Sequence, residues 1–174
     1  METSSNCRFQ YYFKKPEELP DTYFDSIVSL VKAGGSVNHT WVSHHLKNAF
    51  LIGYVLYNNK IVGCSALKHP RPEFIKMVRE KAGLDLTGFL ERGYTSVLPE
   101  FRGRFLASSL LSGLTSRAGE KRIYSIIGED NIGGHKIAIN NKTRKVAVYQ
   151  SSMSGKHFGI WMPEQMIEPD IFIR

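Results

Sequence analysis

The sequence predicts a mixed α/β (α+β) protein in which helices cover both faces of a mixed sheet. A chain of 174 residues with 42% hydrophobic content can bury one sizeable core. Stretches of helical periodicity and stretches of strand-like composition follow one another along it, separated by Gly, Pro and Asn. We therefore expect one domain over residues 1–174, with a polar N-terminal segment 1–15 able to supply a first strand and a C-terminal tail over 163–174.

The first helix is predicted after Asp21, which can cap it. Its apolar residues recur at i, i+3, i+4 and i+7, and Gly34-Gly35 ends it. The residues in this pattern are Phe24, Ile27, Val28 and Val31.

A hairpin and a surface helix follow. Residues 49–57 and 61–67 are apolar and rich in β-branched or aromatic side chains, and Asn58-Asn59-Lys60 supplies turn chemistry between them. Residues 73–82 carry apolar side chains on one side of a helical wheel and cations on the other, and Gly83 is placed to cap this helix.

The second half predicts alternating strands and helices. A strand over 93–98 stops at Pro99, and the turn Arg102-Gly103 opens a helix with Leu106, Leu110 and Leu114 on one face. The remaining elements are a strand over 123–127, a helix over 131–141 and a hairpin of strands 146–151 and 157–162 joined by 152–156.

Composition sets broad limits on function. The net charge of +7 favours anionic partners, although a solubilising surface bias is the simpler explanation unless the charges lie on one face. The two cysteines, Cys7 and Cys64, form no ligand pattern, and the six histidines have no acidic residues at metal-ligand spacing, so no metal site is predicted. No apolar run is long enough to span a bilayer and the start is polar, so we expect a cytoplasmic protein without a membrane partner.

The segment 91–107 carries the chemistry, because it runs from a strand through a tight turn into a helix. The first amides of a helix have no intrahelical partner, and the helix dipole places about half a positive charge beside them. Such a helix start binds phosphate, and Arg102 and Arg104 add positive charge there.

This segment resembles motif A of the GNAT superfamily of N-acyltransferases, Val-x-Pro-Glu-x-Arg-Gly-x-Gly-x-Gly/Ala. The resemblance extends over about residues 50–162 in the family's order of elements. It implies a mostly antiparallel sheet with a splayed strand pair that admits acetyl-CoA, and transfer of an acetyl group to an amine without a metal. The matching residues are Val97, Pro99, Glu100, Arg102, Gly103 and Ala107.

The resemblance also implies the residues that contact the coenzyme. The amides of Val97 and Leu98 are candidates for stabilising the oxyanion, and the backbone of Ser96 and Val97 for pairing with pantetheine. Asn131 has a second interpretation as the N-cap of its helix. The full set comprises Ser96, Val97, Leu98, Arg102, Gly103, Arg104, Phe105, Leu106, Ala107, Ser108 and Asn131.

An amine must lose a proton before it attacks a thioester, and Glu91 stands where the family commonly has the base. Its plainer interpretation is a solvated carboxylate at the start of a strand. Tyr149, with Ser125 and Tyr124 as alternatives, is the candidate proton donor to the leaving thiolate, which can also depart without an acid. The acceptor wall of the family corresponds to residues 36–48, so His39, Trp41 and His44 are acceptor candidates, with ordinary surface positions as the alternative.

Two positions depart from the family pattern. Phe105 replaces a glycine that lets the pyrophosphate approach the backbone, and Ala138 replaces a tyrosine that protonates the thiolate. A catalytically weak or inactive CoA-binding module that uses its basic surface on a protein or nucleic acid is therefore an alternative, as is a nucleic-acid-binding protein unrelated to CoA. The acceptor stays open between a small molecule, a protein amine and a nucleic-acid-linked amine, and so does assembly as a homodimer.

Overall fold

The computed structural model describes residues 8–35 and 37–174, so the prediction for Cys7 lies outside the described residues. Their strands form one sheet in the order β1-β2-β3-β4-β5-β7-β6. Every neighbouring pair is antiparallel except β4 with β5, which confirms the predicted mixed, mostly antiparallel sheet. The strands are β1 Gln10–Lys14, β2 Leu51–Tyr57, β3 Lys60–Lys68, β4 Leu90–Val97, β5 Ile123–Gly128, β6 Thr143–Gln150 and β7 His157–Pro163.

Helices cover both faces of this sheet, as predicted. On one face, called the front face here, Ile27 of α1 packs in one cluster with Ile52 and Cys64 of the strands, and α2 and α3 cover the same side. On the back face, Leu110 of α4 packs with the strand residue Val62, and α5 lies beside α4. The helices are α1 Asp21–Ala33, α2 His39–Lys47, α3 Pro72–Ala82, α4 Leu106–Ser116 and α5 Ile132–Asn140.

Helix α2 was not predicted from the sequence. Only Val42 and Leu46 are buried in it, and two apolar residues at i and i+4 are too few for a clear helical period. The side chain of Asn38 nevertheless caps the helix, since it accepts a hydrogen bond from the Thr40 amide at 3.0 Å. Packing against the front face therefore decides that this polar segment is helical.

Several predicted ends are corrected. Pro20, not Asp21, is the N-cap of α1, and no side chain caps that end. Strand β4 begins at Leu90 rather than residue 93, and β6 begins at Thr143 rather than residue 146, because backbone pairing with their neighbours extends that far.

Two predicted turns are confirmed. Asn58 and Asn59 have φ angles of 49° and 60°, as a two-residue hairpin turn between β2 and β3 requires. Gly83 ends α3 with a φ of 64°. After β7 the C-terminal residues pack against the end of α3, where the Ile173 amide donates to the Gly83 carbonyl at 2.8 Å and Ile171 is buried.

Strands β4 and β5 separate soon after they meet. They pair only at Leu90 with Ile123 and at Glu91 with Tyr124, after which β5 continues beside β7 alone. We call the point after these two pairs the fork. Just beyond it β4 contains a bulge, because the pairing with β3 shifts register around Tyr94, whose φ is 56°. The fork and the bulge give the splayed strand pair that the resemblance to motif A implied.

Candidate functional site

The helix that follows β4 begins with unpaired backbone amides. A short 3-10 turn over Pro99–Phe101 leads to the start of α4, where the first helical hydrogen bond runs from the Ser109 amide to the Phe105 carbonyl at 3.0 Å. Within the described residues, the amides of Leu106, Ala107 and Ser108 have no backbone or side-chain acceptor. These three donors and the helix dipole are the features that the predicted anion site requires.

The two arginines of this loop differ in what they contact. The exposed Arg102 donates from Nε to the Val97 carbonyl at 3.3 Å, which holds its guanidinium beside the end of β4. Arg104 instead lies over the ring of Phe101, with 5.4 Å between the guanidinium carbon and the ring centroid. Gly103 between them has a φ of 75° and no atom near its missing side chain, so the backbone there is open.

Phe105 occupies the glycine position of the motif in a left-handed conformation, with φ 60° and ψ 18°. Residues other than glycine adopt this conformation at a cost in free energy, so the backbone here also favours the glycine of the motif. The side chain is 75% exposed, so the ring lies mainly in solvent rather than filling the loop.

The β3–β4 ladder decides which amides face the gap beyond the fork. The Leu98 amide donates to the Val62 carbonyl at 2.9 Å. Leu98 is therefore not available as an oxyanion donor, which corrects that prediction. Because backbone groups of successive residues alternate in direction, Ser96 directs its amide toward β3 and Val97 directs its amide toward the gap. Of the residues whose backbone was predicted to contact the coenzyme, Ser96, Val97 and Leu98, only Val97 directs its amide toward the gap.

A chain of polar contacts lies on the front face at the fork. Glu91 Oε1 and Lys68 Nζ are 3.1 Å apart, and the same ammonium lies 3.7 Å from the centroid of the Tyr94 ring. A hydrogen bond of 2.8 Å joins the Tyr94 hydroxyl to Nδ1 of His45 on α2. Glu91 is thus not simply a solvated carboxylate at a strand start, because it is mostly buried and paired.

Burial and charge shift the titration of this cluster. Burial, aided by the positive charge of Lys68, lowers the pKa of His45 from its ordinary value of 6.5, so the imidazole is neutral near pH 7. Burial, aided by the Glu91 charge, raises the pKa of Tyr94 to about 12. The hydrogen bond between these two rings therefore joins uncharged groups.

Of the predicted proton donors, Tyr149 and Tyr124 lie on the front face of the sheet and Ser125 on the back face. Burial and then Glu91 raise the pKa of Tyr149 to about 12, and the same two causes raise the pKa of Tyr124. The buried Tyr124 hydroxyl makes no hydrogen bond of ordinary geometry within the described chain, although Glu91 is its charged neighbour. Ser125 accepts a hydrogen bond from Arg92 on the back face at 3.3 Å, so it points away from Glu91. The two phenols remain protonated and able to donate.

The acceptor candidates lie on α2, at the outer side of this cluster. His39 and His44 are exposed, and Trp41 is 49% exposed with its ring stacked on His45 at a centroid distance of 6.4 Å. His45 is the member that points inward, and sequence reasoning missed it. A predicted helix over this segment would have placed His45 close to the buried Val42 and so indicated that it points inward, but the sequence analysis did not predict that helix.

Lys68 was also missed as a site residue. It ends an apolar strand, where a lysine usually marks the surface, and only the strand register shows that it faces Glu91.

Other predicted residues have structural roles. Asn131 Oδ1 accepts a hydrogen bond from the Gly134 amide at 2.9 Å, so it is the N-cap of α5. Cys64 is buried, and burial raises the pKa of its thiol to about 12, so it is a core residue rather than a nucleophile. Among residues 8–35 and 37–174, no three His, Cys, Asp or Glu side chains are grouped to hold a metal ion.

The fold is similar to that of solved GNAT structures. The chain is similar to a GNAT-family acetyltransferase from Streptococcus agalactiae, with a TM-score of 0.67 and 14% identity over 91% of this chain and 99% of that one. A GNAT-family acetyltransferase from Elizabethkingia anophelis with acetyl-CoA bound gives 0.63 and 13% identity, over 88% and 95% of the chains. The ribosomal-protein-S18-alanine N-acetyltransferase of Escherichia coli gives 0.62 and 10%, over 94% and 100%.

The protein therefore has the fold of the GNAT superfamily of N-acetyltransferases. No protein-family model matches the sequence, and no curated protein matches it either. Within the described chain, none of the helices has the length and apolar character needed to cross a bilayer.

Proposed function

We propose that this protein is an acetyl-CoA-dependent N-acyltransferase that transfers an acetyl group directly to a primary amine. One juxtaposition carries the proposal. The unpaired amides at the start of α4 adjoin the gap between β4 and β5, and Glu91 lies at the closed end of that gap. A phosphate site, a slot for an extended ligand and a carboxylate thus follow one another along one strand.

The phosphates of the coenzyme would bind the amides of Leu106, Ala107 and Ser108, with Arg102 as the nearby cation. An extended pantetheine arm can take the place of the missing strand beside β4. The gap-facing Val97 amide then supplies a hydrogen bond at the edge that β5 leaves open.

Glu91 is the group that would take the proton from the acceptor ammonium, since it is the carboxylate nearest the fork on the acceptor side. The freed amine attacks the thioester carbonyl, the C–N bond forms, and the C–S bond breaks. Tyr149 and Tyr124, both protonated at neutral pH, are candidate donors to the departing sulfur. The first proton leaves through Glu91 and the second reaches the thiolate.

The acceptor would approach the front face beside α2, where Trp41, His39 and His44 are exposed. The basic surface favours a polyanionic carrier less than the net charge suggests. Arg79 is paired with Asp85 at 2.6 Å and Lys145 with Glu129 at 2.8 Å, so part of the charge on these faces is neutralised. A small-molecule or protein amine fits this surface as well.

A non-catalytic CoA-binding module is the second candidate, and Ala138, buried in α5 where the family often has its tyrosine acid, favours it. The exposed ring of Phe105 and the position of Glu91 favour the enzyme. The two candidates differ in one measurable respect. Both bind coenzyme, but only the enzyme releases CoA thiol when an amine is supplied.

Calorimetry with acetyl-CoA, combined with thiol release across a panel of amines and peptides, tests the proposal. Arg102→Glu should weaken acetyl-CoA binding at least tenfold, because it places a negative charge beside the phosphates. Lys121→Glu makes the same charge change beyond the far end of α4 and should leave binding unchanged. Equal losses in both variants, or no binding by the wild type, would refute a phosphate site at this helix start.

Glu91→Gln tests the base separately. It should lower kcat by about 10² to 10⁴ and change acetyl-CoA affinity little, because the carboxylate lies on the side of the acceptor. Thiol release at the wild-type rate in this variant would remove Glu91 from the mechanism. Coenzyme binding without thiol release from any amine would instead favour the binding module.

A further inference from the structure

We propose that Lys68 is itself an acyl acceptor, so that the protein transfers an acyl group from acetyl-CoA to the Nζ atom of its own Lys68. This modification rests on the proposed function, because it uses the same coenzyme site and the same base. It adds a covalent modification site to that function.

The first observation is the position of the Lys68 amine. Lys68 is the last residue of β3 and pairs across the sheet with Glu91, in the last rung before the fork. Its Nζ lies 3.1 Å from Glu91 Oε1, the distance at which a base takes a proton from an acceptor amine. Of the amines that the structure describes, this one already stands where the proposed mechanism needs a substrate amine.

The second observation is the burial of this amine. Lys68 is 8% exposed, whereas lysine is almost always at the surface. The ring of Tyr94, 3.7 Å from Nζ, and the hydrogen bond from that tyrosine to His45 limit where the ammonium can move. An amine held in this way has already lost most of the freedom that a diffusing acceptor would have to give up.

The third observation is the close approach of Gly93 to both groups. Gly93 lies just beyond the fork, and a Cβ atom built on it would stand 3.2 Å from Glu91 Oε1 and 3.5 Å from Lys68 Nζ. Any side chain at this position would therefore crowd both groups. Glycine at this position leaves room beside both groups, on the strand whose other edge faces the gap.

The chemical step balances without another reactant. Glu91 takes one proton from the Lys68 ammonium, and the resulting amine attacks the thioester carbonyl carbon. The C–N bond forms, the C–S bond breaks, and the second ammonium proton passes to the sulfur, so the products are an amide at Lys68 and CoA thiol. Glu91 then releases its proton to solvent. The amide is neutral, so the ion pair with Glu91 and the cation contact with Tyr94 end.

The test incubates the purified full-length protein with acetyl-CoA and maps acetylated lysines by peptide mass spectrometry over time. Lys68 should gain one acetyl group per chain at a first-order rate that does not change with protein concentration. Lys60, exposed on the same strand, is the matched control for chemical acetylation, and its initial rate should be at least about tenfold lower. Glu91→Gln should slow modification of Lys68 by about 10² or more and leave Lys60 unaffected.

Acetyl-CoA binding and amine-dependent thiol release, measured on the same preparation, separate this proposal from the proposed function. Binding and thiol release with an unmodified Lys68 would overturn self-acylation and leave the transferase standing. Modification of Lys68 at the rate of Lys60, or at the wild-type rate in Glu91→Gln, would show a purely chemical reaction and overturn it too. Absence of acetyl-CoA binding would overturn both.

Discussion

Position 105 offers the sharpest test of the proposed phosphate site at the start of α4. Phe105 starts α4 with φ 60° and ψ 18°, and its side chain is 75% exposed. Phe105→Gly and Phe105→Ala both delete the ring and the few contacts that it makes. The two variants differ by one methyl group, so their comparison depends on the backbone preference of the new residue and not on the ring.

The expected difference follows from two opposing effects. An L-residue in the left-handed region costs roughly 1–2 kcal/mol, and glycine avoids this cost. Glycine has more freedom in the unfolded chain, which costs about 0.5–1 kcal/mol relative to alanine. Strain relief is the larger effect, so the glycine variant should unfold with a free energy about 1 kcal/mol higher than the alanine variant.

Urea denaturation of both variants, with the wild type alongside, measures this difference. Calorimetry with acetyl-CoA adds a second result, because a ring that lies in solvent does not obstruct phosphate. Both variants should therefore bind the coenzyme within about threefold of the wild type, which is less than 1 kcal/mol. An alanine variant as stable as the glycine variant would contradict the left-handed conformation, and a tenfold gain in affinity on deleting the ring would show that the ring blocks the loop.

Three further predictions concern the core and the front face. Arg92 is 4% exposed and donates only to hydroxyl groups. Arg92→Ala leaves a cavity and should destabilise the protein by about 3 kcal/mol in urea denaturation. The apolar Arg92→Met fills more of that space without a buried charge and should destabilise the protein by clearly less. An equal loss in both would contradict this reasoning. Gly113→Ala would place a Cβ 2.0 Å from Phe13 and should lower the thermal midpoint, at a cost of about 1–3 kcal/mol. Gly133→Ala meets only an ordinary contact of 3.8 Å with Asn131 Oδ1 and should raise the midpoint. Burial and Lys68 lower the pKa of His45 below 6.5, so the unfolded chain binds a proton at this residue more readily than the folded protein does. The free energy of unfolding should therefore fall as the pH drops through 6.5 and should not change through His45 above that pH. His45→Asn should reduce this fall in urea titrations on both sides of that pH, and an unchanged slope would remove His45 as its source.

The order of elements and the loop before α4 were predictable because they depend on local chemistry. Helical periodicity, turn residues such as Asn58 and Asn59, and the strand–turn–helix segment around Arg102 act over a few residues, and each appears in the structure as predicted. Helix α2 was missed for the same reason. Its two buried residues carry too little periodic signal, and its helical form depends on packing against the front face.

The site on the front face depends on contacts between distant parts of the chain. The strand register brings Lys68 to Glu91, and α2 brings His45 to Tyr94, across sequence separations that no local pattern records. The ladder with β3 also decides that the Leu98 amide is occupied while the Val97 amide faces the gap.

By itself, the sequence determined the class of fold and the position of the strand–turn–helix segment before α4, because both follow from residue types at short spacing. The resemblance to motif A added Glu91, the carboxylate at the fork, as the candidate base. Only the tertiary structure decided which groups surround that carboxylate, that the Phe105 ring lies in solvent, and which backbone amides of β4 face the gap. These depend on strand register and on the pairing of backbone groups, which are properties of the assembled sheet.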